Sequence, residues 1–486
     1  MSRESTHEVG LVVKSKRYLL TIEGLPSAKV NDVLVNQHGN RAIVRALSDE
    51  YVHALALSGE AEPGDRYQFS PEQHLYSCGD HLFGRVIDTF GTPIDNKGSF
   101  PPNNTPFKLE VEAPGIEVRQ PIHEQLVTGV SVVDTLVPIA KGQRQMLFGP
   151  MRSGKTTFLT QSVQAQANEG TVCIYAVIGK PINGLRKVTD AIINDEQTHS
   201  KTIVIAALSD EPASVIALAP SVAFLLAEYF QAQGEHVLVI LDDLDAHAKY
   251  LREIALLEGR LPSMESYPGD IFYQHAHLME RSGHFTEAVG GGSITALPIV
   301  QTDLKNFSDL IPTNIMACTD GHLAFVPELR AEGYYPSISI EESVTRVGRQ
   351  SQHTLQKQLT LHAQMLLGQY RTQEEYAKFS ADVSEQAKRI LEEGRVLVQL
   401  LEQPAYQYRA KETQVMLLAL AFTDFFKGIS EDNVAAVRDT LVKVLNHDKR
   451  FAPLRTLVVN DDATWEQFLK AVRDVHSILQ PYVDHH

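Results

Sequence analysis

Residues from about 8 to 72 run as short apolar or alternating segments: VGLVVKS, YLLTIEG, DVLVNQ, RAIVRALS and YVHALALS. Turn-forming groups separate them, among them Gly24-Leu25-Pro26, Gln37-His38-Gly39-Asn40 and Glu62-Pro63-Gly64-Asp65. Even spacing of short strands predicts a small β-barrel. A connector rich in Gly, Pro and Asn follows from Gly91 to Thr105. Between about 125 and 345 the pattern becomes one of continuous apolar runs separated by helix-like segments: GQRQMLFG, TVCIYAVIG, TIVIAAL, HVLVILDD, GSITALPIV and NIMACTD. Strands of that kind are covered on both faces, as in a parallel α/β sheet. Beyond about 350 the apolar positions recur at helical spacing, in HTLQKQLTLHAQMLLGQYRTQEEYAKF, SEQAKRILEEGRVLVQLLEQ, TQVMLLALAFTDFF and ATWEQFLKAVRDVHSILQPY. The expected fold is therefore multidomain α/β. It has an N-terminal β-barrel (1–72), a central parallel α/β domain (73–350) and a C-terminal helical domain (351–486).

Composition adds limits. At 486 residues the chain accommodates roughly two to four domains. A formal net charge of -16 argues against a nucleic-acid binder, which needs a basic face. Cys78, Cys173 and Cys318 are too scattered for a disulfide framework or a zinc site, which suggests a reducing compartment. Met1 to Gly10 is polar and lacks the apolar region of a secretory leader. The long apolar stretch Ser214 to Ala227 is shorter than a membrane span and contains Pro220. The expectation is a soluble chain that meets membranes only through partners.

One motif is sharp. Gly149-Pro-Met-Arg-Ser-Gly154-Lys155-Thr156 matches G-x-x-x-x-G-K-[ST] in full, directly after the apolar strand Gln145 to Phe148 and before a helical run. Its glycines let the backbone approach phosphate, and its successive N–H groups point at phosphate oxygens. Lys155 would reach the β/γ-phosphates, and the Thr156 hydroxyl would help hold Mg²⁺. Arg152, Ser153 and Thr157 complete the expected phosphate-binding set. The run His236-Val-Leu-Val-Ile-Leu-Asp242-Asp243 ends a buried strand in acid, which places a carboxylate at the sheet edge where ligands bind. Asp242, the first polar residue after the run, is the expected Mg²⁺-orienting group. Asp243 is the alternative, or else caps the following helix.

With these motifs in place, nearly the whole chain resembles the nucleotide-binding alpha and beta subunits of F-type rotary ATP synthases and ATPases. The segments that carry the likeness are PGIEVRQPIHEQLVTGVSVVDTLVPIAKGQRQMLFG, YPGDIFYQHAHLMERSG, GGGSITALPIVQTDLKNFSDLIPTNIMACTDG and SVTRVGRQSQ. The resemblance implies a P-loop (RecA-like) central domain in a ring of three alpha and three beta subunits, with nucleotide at every interface. It further implies a central gamma-type shaft, delta/b-type stator subunits, and bound ATP or ADP with Mg²⁺. The assembly would be peripheral, on the cytoplasmic face of a bacterial or archaeal inner membrane, and would translocate protons or sodium ions. Beta subunits carry Gly-Glu-Arg after the P-loop helix, and alpha subunits carry Gly-Gln-Lys. This chain reads Gly179-Lys180-Pro181. A protonated lysine is no general base, and its ammonium would instead favour phosphate, so the resemblance is to the non-catalytic alpha type. Arg346 in Ser343-Val-Thr-Arg-Val-Gly348 matches the alpha-subunit arginine finger, which acts on the γ-phosphate of a neighbour's nucleotide.

The chain also departs from the usual alpha pattern. Only about seven residues precede the barrel. The loop reads GPMRSGKT rather than GDRQTGKT. Tyr335-Pro336 stands where Arg-Pro lines the adenine pocket, and its ring would stack on the base. Arg349-Gln350-Ser351 replaces Ser-Ala-Ala. These changes suggest a divergent or alternate F-type ATPase. Three other readings fit less well. A self-sufficient hexameric ATPase of the flagellar or type III export kind needs a glutamate where Lys180 stands. A Rho-type RNA translocase needs a basic, aromatic barrel. Non-catalytic V-type subunits usually lack an intact P-loop.

The remaining signals read as structural. The nineteen histidines, including His275, His277 and the terminal His485-His486, show no ligand spacing and read as surface or satisfied core groups. Glu280-Arg281 reads as an internal ion pair, Tyr267-Pro268-Gly269-Asp270 as a turn, and Trp465 as packed among C-terminal helices.

Overall fold

A computed structural model describes residues 8–483, apart from 71–74, 101–104, 107–111, 196–197, 261–265, 332, 380–383 and 461. The terminal His485-His486 pair therefore lies outside the described residues. The chain divides into two compact units: residues 1–120 with 170–319, and residues 121–169 with 320–486.

The first unit begins with the expected barrel. Six strands, Val9–Lys16, Leu19–Glu23, Val33–Asn36, Arg41–Leu47, Tyr51–Ala56 and Arg66–Phe69, close in the order first, second, fifth, fourth, third, sixth. Alternation along Leu19–Glu23 and Val33–Asn36 turns every second residue inward. Leu20, Ile22, Leu34, Val44, Ala54 and Tyr67 fill the interior. Parallel strands follow in the order Ser293–Val300, His236–Asp242, Val172–Lys180, Thr202–Leu208, Arg85–Ile87. Ser293–Val300 is buried at every position, and the next three strands at nearly all, as the unbroken apolar runs require. Ala213–Gln231 is the segment among the described residues long and apolar enough to cross a membrane, and it is mostly buried within this unit.

In the second unit, Met146–Phe148 pairs parallel with Gly321–Phe325, which pairs antiparallel with Ile338–Thr345. Helix Lys155–Asn168 follows the first of these strands. The C-terminal part is helical: Thr354–Phe379, Glu385–Leu401, Lys411–Leu420, Glu431–His447, Ala452–Val458 and Trp465–Val483. Trp465 stacks on Phe468 at the start of the last helix, with ring centroids 6.0 Å apart.

One expected strand is a helix. NIMACTD lies at the end of helix Leu310–Ala317 and in the turn after it, and the strand is the next segment, Gly321–Phe325. A run as short as Ile315-Met316-Ala317 carries no usable periodicity. Pro312 sits in the first helical turn, where its missing N–H costs nothing, and that placement favours the helix.

Candidate phosphate-binding site

The loop after Met146–Phe148 is shaped by close backbone approach. Gly149 has φ +155°, and a Cβ there would lie 2.6 Å from the Phe325 carbonyl oxygen and 2.8 Å from Phe325 Cβ. No larger residue fits without moving the neighbouring strand. Arg152 (φ 64°) and Gly154 (φ 100°) both adopt left-handed backbone, and both are exposed. Lys155 opens the helix, and its buried ammonium curls back to donate to Gly149 O at 2.5 Å, Pro150 O at 2.7 Å and Ser153 Oγ at 3.2 Å. Ser153 is buried, and its carbonyl accepts from Ser337 Oγ at 3.0 Å. Gly154 provides no side-chain cap, so the first-turn N–H groups, beside half-buried Thr156 and Thr157, have the arrangement that lets a helix N-terminus accept an anion. The loop fits a phosphate chain: it has backbone clearance, a cation and uncapped donors.

A buried polar network surrounds residues 128–134 in the same unit as the loop. Asp134 accepts from Thr128 N and Oγ1 (2.8 and 2.7 Å), Gly129 N (2.9 Å) and Gln414 Nε2 (2.9 Å). Full burial pushes its carboxyl up to about 6 even though each of these bonds pulls it down. Gln403 accepts from Ser131 N and Oγ at 2.9 Å and donates to Gly129 O at 2.6 Å. Gln161, on the helix after the loop, donates to Gln407 O at 3.1 Å. Sequence reasoning missed these residues, because an amide in an apolar run has no local signature.

Tyr335-Pro336, joined by a cis bond, lies in the same unit. The Tyr335 carbonyl accepts from Gln403 N at 2.9 Å. Its side chain is partly exposed (38%), with the Arg330 guanidinium 5.3 Å from the ring centroid and Arg330 Nε donating to the hydroxyl at 3.0 Å. Val132, Tyr334, Pro336, Leu401 and Glu402 line a groove beside it. Arg346 directly follows strand Ile338–Thr345, and its N–H donates to Asp320 O at 3.0 Å. Its side chain is exposed. The turn it stands on is rigid: Thr345 Oγ1 donates to Pro138 O, Gly348 N donates to Thr345 Oγ1, and a Cβ at Gly348 would collide with Pro138 O.

Asp242 belongs to the first unit. It closes strand His236–Asp242 with its side chain 3% exposed. Tyr175 OH donates to its Oδ2 at 2.7 Å, and Lys180 Nζ lies 2.5 Å from Oδ1. Lys180, expected to favour phosphate, is thus ion-paired within its own unit. Asp243 takes the capping role: its Oδ1 accepts from Ala246 N at 2.6 Å at the head of helix Leu244–Leu257. Burial, then the neighbouring Asp242, pushes the Asp243 carboxyl up to about 7. Thr156, at the start of its helix, suits a magnesium ligand. Asp242 has one protein donor at each oxygen, the Tyr175 hydroxyl and the Lys180 ammonium.

Two structural expectations change. Arg281 pairs with Glu228 through both oxygens (2.7 and 2.8 Å), not with Glu280, because consecutive helical residues do not face one another. His275 is a core residue, with Nδ1 2.7 Å from Asn314 Nδ2, but among the described residues its buried Nε2 has no hydrogen-bond partner. It is therefore only half satisfied. His277 stacks on Tyr273.

Against this geometry, residues 129–345 match the ATP synthase alpha/beta family nucleotide-binding domain, and residues 352–475 match the C-terminal domain of the ATP synthase alpha/beta chain. The chain is similar to the ATP synthase subunit alpha of Dictyoglomus turgidum, with 34% identity over 462 residues, 94% of this chain and 89% of the relative. The subunit alpha of Ehrlichia chaffeensis is 33% identical over 450 residues, 90% of this chain and 88% of the relative. That of Neorickettsia sennetsu is 34% identical over 448 residues, with 90% and 87% covered. An uninterrupted likeness through barrel, phosphate loop and C-terminal helices places the chain in the ATP synthase alpha/beta family, as a member of its F-type subunit alpha group.

Proposed function

We propose that this chain is a non-catalytic, nucleotide-binding subunit of a rotary F-type ATP synthase or ATPase. It would assemble with beta subunits in a ring of three and three around a gamma-type shaft, with delta/b-type stator subunits, peripheral to the cytoplasmic face of the membrane. The observation that carries the non-catalytic role is Lys180. It stands where the catalytic type has a glutamate, and its ammonium is tied to Asp242 at 2.5 Å. A general base must have a lone pair to offer the attacking water, and a salt-bridged ammonium has none. The same residue disfavours a self-sufficient export ATPase.

Within this reading the loop N–H groups from Gly149 to Thr156 cradle the phosphates of ATP or ADP, and Lys155 swings from its loop carbonyls to the phosphate oxygens. Arg152, Ser153 and Thr157 flank that cradle. Thr156 would hold Mg²⁺, whose charge offsets that of the phosphates. Tyr335 and Pro336 offer an aromatic face and an apolar edge to the base. Arg346, exposed on a braced turn, acts on a neighbouring subunit's nucleotide as an arginine finger, where its planar fork suits a transferring phosphoryl group.

The test uses the purified chain and a fluorescent ATP analogue. Lys155→Ala is expected to weaken binding by roughly two to three orders of magnitude, from the loss of charge-assisted phosphate contacts. Unchanged affinity would remove the site assignment. The wild-type chain alone should show negligible turnover. Hydrolysis at tens per second, well inside the ordinary range of roughly 1–10³ s⁻¹, would remove the non-catalytic role.

A further inference from the structure

Gly154 gives the phosphate loop a choice of backbone. Its φ is 100°, and a glycine adopts left-handed and right-handed conformations at similar cost. The Ser153–Gly154 peptide could therefore turn over, exchanging its N–H for its C=O at the exposed mouth of the loop. The hydroxyl of Ser337 fixes which way it lies. That side chain is buried, and its Oγ donates to Ser153 O at 3.0 Å. A trans peptide points its C=O and its N–H to opposite sides, so the Gly154 N–H faces away from Ser337. Gly154 is exposed, and among the described residues its N–H meets no protein acceptor.

Ser337 is itself firmly held. Its carbonyl accepts from Val326 N at 2.9 Å, and the next residue, Ile338, pairs with Phe325 across the antiparallel strands. Phe325 is the residue against which Gly149 packs. Both ends of the loop thus lean on one strand pair, the start by close approach to Phe325 and the end by the hydrogen bond from Ser337. Ser153 also faces the loop's cation, since its Oγ accepts from Lys155 Nζ at 3.2 Å.

We propose that Ser337 is a positioning residue for the phosphate loop: its hydroxyl holds the Ser153–Gly154 peptide with the N–H turned toward the phosphate chain of a bound nucleotide. Without that tie the Ser153 carbonyl is free to turn outward and present an acceptor to an anion, where the tied form presents a donor. Ser337 needs no contact with the ligand to do this. The inference rests on the phosphate-loop reading above and adds the residue that selects the donor-out form of the loop.

The experiment is equilibrium binding of a fluorescent ATP analogue to the full chain, with inorganic tripolyphosphate as a competitor that has phosphates and no base. The variants are Ser337→Ala and Ser337→Thr, with Lys155→Ala as the control for the loop. Ser337→Ala removes one oxygen and adds no bulk. It is expected to weaken the analogue and tripolyphosphate by the same factor, on the order of tenfold, the worth of one misaimed hydrogen bond to a charged group. Ser337→Thr keeps the hydroxyl and should bind both within about threefold of wild type. A role confined to the groove beside Tyr335 would weaken the analogue and leave tripolyphosphate unchanged, and that result would overturn the inference. So would wild-type affinity for both ligands in Ser337→Ala, or a loss in Ser337→Thr as large as in Ser337→Ala. Tripolyphosphate that fails to displace the analogue from the wild-type chain, or Lys155→Ala binding like wild type, would instead remove the phosphate-loop reading, and the inference would fall with it.

Discussion

Lys155 and Lys180 each follow a buried strand and a glycine, yet the protein solvates them in opposite ways. Lys155 leans on two carbonyls and a hydroxyl of its own loop. Those three acceptors are neutral dipoles. Lys180 leans on a carboxylate, which cancels its charge. A cation held by dipoles can be handed to an anionic ligand at the cost of a few neutral hydrogen bonds. A cation held by a buried carboxylate cannot leave without stranding that carboxylate. Residue type is the same at the two positions, and the partner decides whether the charge binds a ligand or stays internal.

Arg346 extends the comparison to a cation with neither kind of partner. It is exposed, and among the described residues its guanidinium makes no ion pair or hydrogen bond. Its charge is available to a neighbour. In the assembled complex, Arg346→Ala is expected to lower steady-state ATPase rate on the order of 10³-fold with the ring intact. Nucleotide affinity should change much less, because a finger acts on the transition state. Arg346→Lys should not restore the rate, since a point charge lacks the fork. Near-normal turnover in the alanine variant would make Arg346 structural.

The two lysines should also separate in stability. Lys180→Ala leaves the Asp242 carboxylate buried beside a tyrosine hydroxyl, and is expected to cost about 3 kcal/mol in chemical denaturation. Lys155→Ala removes hydrogen bonds to two carbonyls and a hydroxyl and should cost about 1 kcal/mol while weakening nucleotide binding by roughly two to three orders of magnitude. Equal losses, or a larger loss at Lys155, would break the distinction between dipole and carboxylate partners.

These partners mark what the sequence could and could not disclose. The barrel, the parallel strands, the C-terminal helices and the loop from Gly149 to Thr156 are written in local patterns: alternation, unbroken apolar runs, helical spacing and a contiguous motif. Asp243 as a helix cap was legible for the same reason, being a short-range rule. Lys180 was visible as a non-base, but its pairing with Asp242 depends on a register slip and on clearance at Gly184, and neither has a sequence signature. Arg281 chose Glu228 over adjacent Glu280, and the amides of Gln403 and Gln161 found carbonyls far along the chain. Long-range polar pairing follows from packing, and packing is not periodic.

Buried groups that are neutral rather than paired provide the next test. His247 and His275 lie with ring centroids 6.0 Å apart in the unit that holds Lys180 and Asp242. Burial pushes their imidazoles down to about 4 and about 3, with the neighbouring His247 adding to the shift at His275. A histidine whose folded value is depressed binds fewer protons folded than unfolded. Its contribution is therefore intact above the unfolded value near 6.5 and is lost as pH falls toward the folded value. At pH 5 the loss is about 2 kcal/mol per imidazole. Asp243, pushed up to about 7, contributes in the opposite direction, so the informative quantity is a difference between variants. His275→Gln should lose less stability than wild type between pH 7 and pH 5, by about that single-imidazole amount. Parallel pH profiles would show that His275 is hydrated in the folded chain.

The smallest expected effect lies on the ligand side of the comparison, where Tyr335 contributes no charge at all. Its carbonyl is fixed by Gln403 N, so the backbone position survives a change of side chain. The ring is partly exposed and already meets the Arg330 guanidinium, while the hydroxyl only accepts from Arg330 Nε. If the base stacks on this ring, the face matters and the hydroxyl does not. Tyr335→Phe keeps the face and forfeits one solvent-accessible hydrogen bond, so nucleotide affinity should hold within about twofold and stability within about 0.5 kcal/mol. Tyr335→Ala removes the face and should weaken binding by about tenfold, the worth of one base–aromatic stack at the lower end of its range. The two variants are to be titrated side by side with the same fluorescent analogue. A tenfold loss in Tyr335→Phe would mean that the Arg330–hydroxyl contact, and not the ring, orders the groove, and that the ligand side too depends on a polar pairing.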